Sequence, residues 1–172
     1  DRRQRQMCIR DSYVGVAWYQ KKVTIPSDWK GERILLFLER PHIETTVWVN
    51  TKEIGMQNSL CVPHVYDLTS AVTSGKPCRI TIRVDNRIKE INVGPDSHSI
   101  TDQTQGNWNG IVGKIELQTT PKVYFDDIQV YPDLSHGKAL VRMNVKSSSS
   151  AKGEITLSAE SFNTDTRHNV LP

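Results

Sequence analysis

Cys78-Arg79-Ile80-Thr81-Ile82-Arg83-Val84 alternates apolar and polar side chains without a break. In an extended chain successive side chains point to opposite faces, so this stretch has one dry face and one wet one. It reads as a half-buried strand. Upstream, Ile43, Thr45, Val47 and Val49 alternate with Glu44, Thr46, Trp48 and Asn50 in the same manner. Residues 14–25 and 32–39 read as two more strands, separated by the turn Pro26-Ser27-Asp28-Trp29-Lys30-Gly31. Arg40-Pro41-His42 is expected to break the chain again, because proline cannot donate to a ladder. Downstream, strands are expected at 111–117, 139–145 and 155–159. Helical periodicity is nearly absent; one short turn is expected at 67–72, with Asp67 placed to cap it.

Many short strands joined by frequent turns predict an all-β chain, an antiparallel sandwich rather than a βαβ fold. Two features interrupt that rhythm. Residues 86–107 form a long polar stretch, and compact domains seldom keep such a loop without a use for it. Thr119-Thr120-Pro121 precedes a fresh strand pattern and marks a domain boundary. The expected organisation is a basic arm at 1–13, a sandwich at 14–120 and a partial second sandwich at 121–172. About 50 residues with three strands are roughly half of an immunoglobulin-like domain. Half would bury too little apolar surface to stand alone. The chain therefore reads as part of something longer.

Composition excludes several classes. With 37% hydrophobic and 24% charged residues the chain is neither a disordered tail nor a low-complexity segment. Its longest apolar run, 34–38, is far below the roughly 20 residues needed to span a bilayer, so a soluble chain with no membrane span is expected. The net charge of +3 resides in the first ten residues, where Arg2, Arg3, Arg5 and Arg10 outweigh Asp1. A nucleic-acid partner needs basic residues gathered on the folded surface, so none is expected. Cys8, Cys61 and Cys78 have no metal-ligand spacing and read as isolated thiols, with a Cys61–Cys78 bridge the lesser alternative. His42, His64, His136 and His168 are scattered and suggest no metal site.

The ordered motifs carry a resemblance. Trp18-Tyr19 with Lys22, Val23 and Pro26 leads into Asp28-Trp29-Lys30-Gly31, Leu36-Phe37-Leu38-Glu39 and Val47-Trp48-Val49-Asn50. Val65-Tyr66-Asp67-Leu68-Thr69, Ile82-Arg83-Val84-Asp85-Asn86 and Trp108-Asn109-Gly110-Ile111 follow in order. This series resembles the N-terminal sugar-binding domain of glycoside hydrolase family 2, which holds β-galactosidases, β-glucuronidases and β-mannosidases. The likeness covers about residues 14–134. It implies a jelly-roll-type, galactose-binding-like sandwich followed by a truncated immunoglobulin-like one. Two departures stand out. Asn50-Thr51 replaces the usual Asn-Gly hairpin turn, which implies a longer or strained turn. The aromatic block before the first motif is replaced by arginines, which implies a missing strand and an open edge able to pair with another chain, a homo-oligomer included.

In that family the two catalytic glutamates lie on a (β/α)8 barrel that follows the sandwiches, so this chain is expected to be inactive alone. Retaining cleavage needs two carboxyl groups about 5 to 5.5 Å apart. Asp126-Asp127 are neighbours on a strand and point apart, while Glu160 and Asp165 fall in the tail. No Gly-x-Ser-x-Gly elbow is present. The resemblance implies that a loop of the first sandwich reaches the rim of the barrel's active site and holds the terminal sugar. The matching stretch offers Asp96, His98, Asp102, Gln103, Gln105, Asn107, Trp108 and Asn109. Carboxylates and amides suit hydroxyls that both donate and accept, and an indole suits the apolar face of a sugar. Asp102 is the first choice, as a hydroxyl acceptor or as a ligand to a structural cation; no cofactor is expected. Each has a plainer reading: Asp102 closing a turn, His98 exposed on the loop, Trp108 a core tryptophan. Trp18, Trp29 and Trp48 are expected to serve packing.

The resemblance thus implies an accessory region of a retaining exo-glycosidase, nearest β-galactosidase, in a secreted or periplasmic setting on which composition is neutral. The alternatives are a free-standing carbohydrate-binding module and a purely structural or dimerising sandwich.

Overall fold

A computed structural model of the chain describes residues 13–60, 62–87, 108–147, 150 and 152–158. Contacts divide the chain into two units, Asp1–Thr120 and Pro121–Pro172. The first holds β1 (Val16–Thr24), β2 (Arg33–His42), β3 (Glu44–Val49), β4 (Lys52–Asn58), β5 (His64–Asp67), β6 (Pro77–Asp85) and β7 (Gly110–Thr120). These form a four-stranded sheet in the order β1-β6-β3-β4 and a three-stranded sheet in the order β5-β2-β7. Every pairing is antiparallel.

The alternating stretch that opened the sequence is β6, held between β1 and β3. Its apolar residues Cys78, Ile80, Ile82 and Val84 are buried, and they meet Ile34, Leu36 and Leu38 of β2 in one core with Val47, Val49, Tyr66 and Leu68. That contact between the inner faces of the two sheets makes the first unit a β-sandwich. Cys78 is a free, buried thiol, whose pKa burial pushes up; Cys61 lies outside the described residues.

A polar group of three also spans the two sheets. Thr45 Oγ1 of β3 lies 2.6 Å from His64 Nδ1 and 2.6 Å from the Tyr66 hydroxyl, both on β5. Tyr66 O–H donates to the Thr45 carbonyl at 2.8 Å. His64 Nε2 lies 3.1 Å from the Ser59 carbonyl, which can only accept. His64 is therefore the Nε2–H tautomer, leaving Nδ1 to accept from Thr45. A fully buried neutral histidine thus has both nitrogens satisfied.

Three local expectations are corrected. Strand β2 runs through Pro41 to His42 instead of breaking at 40. Its β5 partner reaches only Leu38, so beyond that point β2 pairs with β7 alone, an edge position where proline is tolerated. The turn after Val49 is two residues, not longer, because Val49 pairs with Lys52. Asn50 takes the left-handed conformation there (φ 55°), and the ladder shifts register between Val47 and Trp48. At 67–72, by contrast, the chain makes the single turn expected of it: Ala71 and Val72 N–H both donate to the Leu68 carbonyl, and Asp67 Oδ1 accepts from Thr69 N–H at 3.0 Å. Finally, 152–158 is not a strand. Ile155 and Leu157 are more than half exposed, and no described strand pairs with them.

The second unit contains the antiparallel hairpin β8 (Val123–Asp133) and β9 (Lys138–Ser147). Its turn is closed by Asp133, whose carboxylate accepts from the Ser135 hydroxyl at 2.7 Å and from His136 N–H at 3.2 Å. These donors hold the Asp133 carboxyl below the usual range.

Candidate functional site

The long polar stretch leaves the sandwich at the end of β6 and returns at the start of β7. Both ends are fixed at one point by Asn86, which is 1% exposed. Its Oδ1 accepts from Gly15 N–H at 2.8 Å, and its Nδ2 donates to the Tyr13 carbonyl at 2.7 Å and the Trp108 carbonyl at 3.1 Å. Asn109 adds a fourth tie, donating from Nδ2 to the Gly15 carbonyl at 2.9 Å. One amide side chain therefore ties the residues flanking 88–107 to those just ahead of β1. Its cost of burial is offset because all of its polar atoms are used.

Asp85 anchors the exit. Its carboxylate has no exposed surface, yet it accepts from Arg83 Nη2 at 2.8 Å, from Arg87 Nη2 at 2.7 Å and Nε at 2.9 Å, and from Arg87 N–H at 3.1 Å. Arg83 Nη1 also reaches Glu44 Oε1 at 3.0 Å. These carboxylates are committed to guanidinium groups, so neither is free to act as an acid or a nucleophile.

The return is shaped by a bulge. Between Leu38–Ile115 and Arg40–Val112, β7 advances one residue more than β2. Gly113 takes the extra position at φ 85°, and Glu39 Oε2 accepts from Lys114 N–H at 2.8 Å. Beyond the bulge β7 starts at Gly110, which stands opposite His42. There the Trp108 indole lies against the His42 ring, with centroids 4.6 Å apart and planes tilted by 31°. Burial lowers the His42 pKa, and its contact with the Trp108 backbone opposes this. His42 Nδ1 and Asn109 Oδ1 are buried, with no partner among the described residues.

Of the residues singled out in the sequence, Asp96, His98, Asp102, Gln103, Gln105 and Asn107 lie outside the described residues. Trp108 and Asn109 are described, and both belong to the clamp at the loop's base. Asn86, Gly15 and His42 were missed. Asn86 was visible as the last residue of the motif Ile82-Arg83-Val84-Asp85-Asn86, but not as a clamp. Its partners Gly15 and Tyr13 lie 71 and 73 residues away and Trp108 lies 22 away, distances that no local pattern bridges. Trp29 packs against the core, but Trp18 is 61% exposed, which corrects the expectation that it serves packing. Asp126 pairs with Lys146 Nζ at 2.7 Å. No group of three metal-ligating side chains occurs among the described residues.

The all-β sandwich agrees with the comparisons. The family described as "Glycosyl hydrolases family 2, sugar binding domain" matches residues 6–121. The chain belongs to glycoside hydrolase family 2. Among its relatives are the β-glucuronidase of Felis catus, 27% identical over 150 residues (76% of this chain, 23% of the relative), and that of Homo sapiens, 27% identical over 168 residues (84% and 26%). A β-glucuronidase structure from Dictyoglomus thermophilum superposes with a TM-score of 0.58 at 25% identity over 80% of this chain and 26% of its own. One from Faecalibacterium prausnitzii reaches 0.62 at 24% identity, over 80% and 27%, which shows the fold. This family 2 chain spans about a quarter of the length of the relatives it matches. The relatives named here are β-glucuronidases rather than the β-galactosidases that the motifs suggested.

Proposed function

We propose that this chain is the non-catalytic front part of a retaining exo-β-glucuronidase, whose 96–109 loop lines the rim of an active site carried by a following (β/α)8 barrel. The observation that carries the reading is the clamp: Asn86 donates to the Trp108 carbonyl and so ties together the described residues on either side of the long polar stretch. The names of the relatives supply the sugar class, a β-glucuronide in place of a β-galactoside. Within the loop Asp102 is the sugar-hydroxyl acceptor, with His98, Gln103, Gln105 and Asn107 beside it.

The division of labour follows from the chemistry. Retention demands an acid and a nucleophile about 5 to 5.5 Å apart on opposite sides of the scissile bond. The buried Asp85 and the adjoining Glu44 are tied up by arginines. The sandwich therefore contributes orientation, and the barrel contributes the reacting carboxyl groups. The test is expression of the full-length parent protein and assay with p-nitrophenyl β-D-glucuronide and β-D-galactoside. The glucuronide should be cleaved and the galactoside much more slowly, with no turnover by residues 1–172 alone. Faster release from the galactoside would restore the β-galactosidase reading. Turnover by this chain alone would end the proposal. Asp102→Ala in the parent should raise KM; unchanged kinetics would make the loop scaffolding.

A further inference from the structure

The outer face of the four-stranded sheet carries a second feature, independent of the loop. Trp18 of β1 and Trp48 of β3 lean toward each other across β6, with ring centroids 5.6 Å apart and planes tilted by 31°. Trp18 pairs with Arg83 and Trp48 with Thr81, so the two indoles lie diagonally over one stretch of β6. Trp18 is 61% exposed and Met56, on the same face, 56%. Farther along, Lys22 stands directly opposite Arg79. Both are exposed, and neither makes an ion pair among the described residues. They border an open depression of about 390 Å³ shared with Asn50, Thr51 and Pro77.

Each half of this arrangement is unfavourable alone. Like charges directly opposite on a sheet destabilise it, and an exposed indole leaves a large apolar surface wet. A bound anion with an apolar face would relieve both. Arg79 lies two residues from Thr81, the partner of Trp48, and four from Arg83, the partner of Trp18, so about 7 Å separate the cation pair from the nearer indole along the strand and about 13 Å from the farther one. A pyranose stacked on an indole reaches that far with a carboxylate on its ring edge or on the next unit. Between the two ends Gln20 donates to Thr81 Oγ1 at 3.0 Å. Glu53, opposite Trp48, supplies an acceptor on the other flank. Arg83 is occupied by Glu44 and Asp85, so the available positive charge is that of Lys22 and Arg79. A protein partner fits less well at Lys22 and Glu53, since lysine and glutamate are depleted from such interfaces.

We infer that this face binds an acidic, uronate-bearing oligosaccharide, with Trp18 and Trp48 stacking on sugar rings and Lys22 and Arg79 receiving a carboxylate. The charge arrangement decides for an acidic chain over a neutral one, and the openness of the face decides for several linked sugars over a single one. The inference stands on this face alone and does not need the parent to hydrolyse glucuronides, so its failure leaves that reading intact and the reverse.

The test is a titration of residues 1–172 with a hyaluronan hexasaccharide, followed by tryptophan fluorescence and calorimetry. Cellohexaose serves as the neutral control and an eight-residue oligothymidylate as the nucleic-acid control. A saturable response with half-saturation below about 1 mM is expected, weakening as salt screens the cations. Cellohexaose and oligothymidylate should each bind about tenfold more weakly. Trp18→Ala and the double variant Lys22→Ser/Arg79→Ser alter exposed side chains, so both should fold, as circular dichroism will verify, and lose about tenfold in affinity. The inference is overturned by no saturation at 10 mM (on the order of ten times that limit), by equal binding of cellohexaose, by tighter binding of oligothymidylate, or by folded variants that bind as the parent sequence does.

Discussion

The Nδ2 of Asn86 donates to the carbonyl of Trp108 at 3.1 Å, and this bond joins residues on either side of the longest polar stretch in the chain. The same side chain also holds Gly15 and Tyr13. Asn86→Leu should therefore cost about 2 to 4 kcal/mol, since several buried backbone groups lose their partner at once. Asn86→Asp should be no better, because it sets a carboxylate oxygen against the Tyr13 and Trp108 carbonyls. Urea denaturation measures the loss, and faster proteolytic cleavage within 88–107 should accompany it. Wild-type stability in both variants would mean that the clamp does not fix the loop.

The two buried histidines set a pH dependence. Burial lowers the pKa of His64 and, likewise, of His42. The unfolded chain, with histidines near 6.5, then binds protons before the folded one does. Stability is full above about pH 6.5 and falls as the pH drops from there toward the lowered folded values. Thermal melts from pH 8 to pH 5 (a window of roughly 1.5 units on either side of the ordinary value) should show Tm decreasing on the acidic side. His64→Gln should flatten the slope while lowering the plateau, since glutamine does not titrate and does not fill the same place between Thr45 and Ser59.

At the bulge, Gly113→Ala should destabilise by about 1 to 2 kcal/mol from the left-handed backbone alone. More should follow, because a Cβ there would run into the Glu39 carboxylate that accepts from Lys114 N–H. Glu39→Ala in the same background should recover part of the loss by making room. A urea midpoint unchanged by Gly113→Ala would mean that the bulge is not fixed by that glycine.

The fold was legible where a strand's own pattern settles the matter. β6 and β3 alternate so regularly that their buried faces could be named from the sequence. β4 was not legible: Lys52–Asn58 contains Gly55 and mostly polar residues, and it is a strand because β3 offers it an edge. Pro41 misled for a similar reason, since whether proline ends a strand depends on how far the neighbouring strand extends. At the site, Trp108 and Asn109 could be picked out by their place in an ordered series of motifs. Asn86, Gly15 and His42 could not, because their roles arise only when distant segments meet.

The last prediction concerns the open side of the sandwich. Among the described residues β1 and β7 each pair on one side only. Between them lies a cavity of about 480 Å³ lined by Val23, Leu36, Ile80, Ile82, Ile115 and Leu117 together with Tyr19 and Glu116. An unpaired edge above an apolar slot is a template for a further strand. At raised concentration the chain should therefore self-associate, with sedimentation velocity showing species heavier than the monomer. Ile115 is 47% exposed at the mouth of the slot, so Ile115→Lys should abolish association with little loss of stability, a charged edge residue being the usual guard against such pairing. Association that persists in Ile115→Lys would place the contact elsewhere, and a strictly monomeric chain at millimolar concentration (on the order of the weakest specific affinities) would show that this edge does not recruit a second copy.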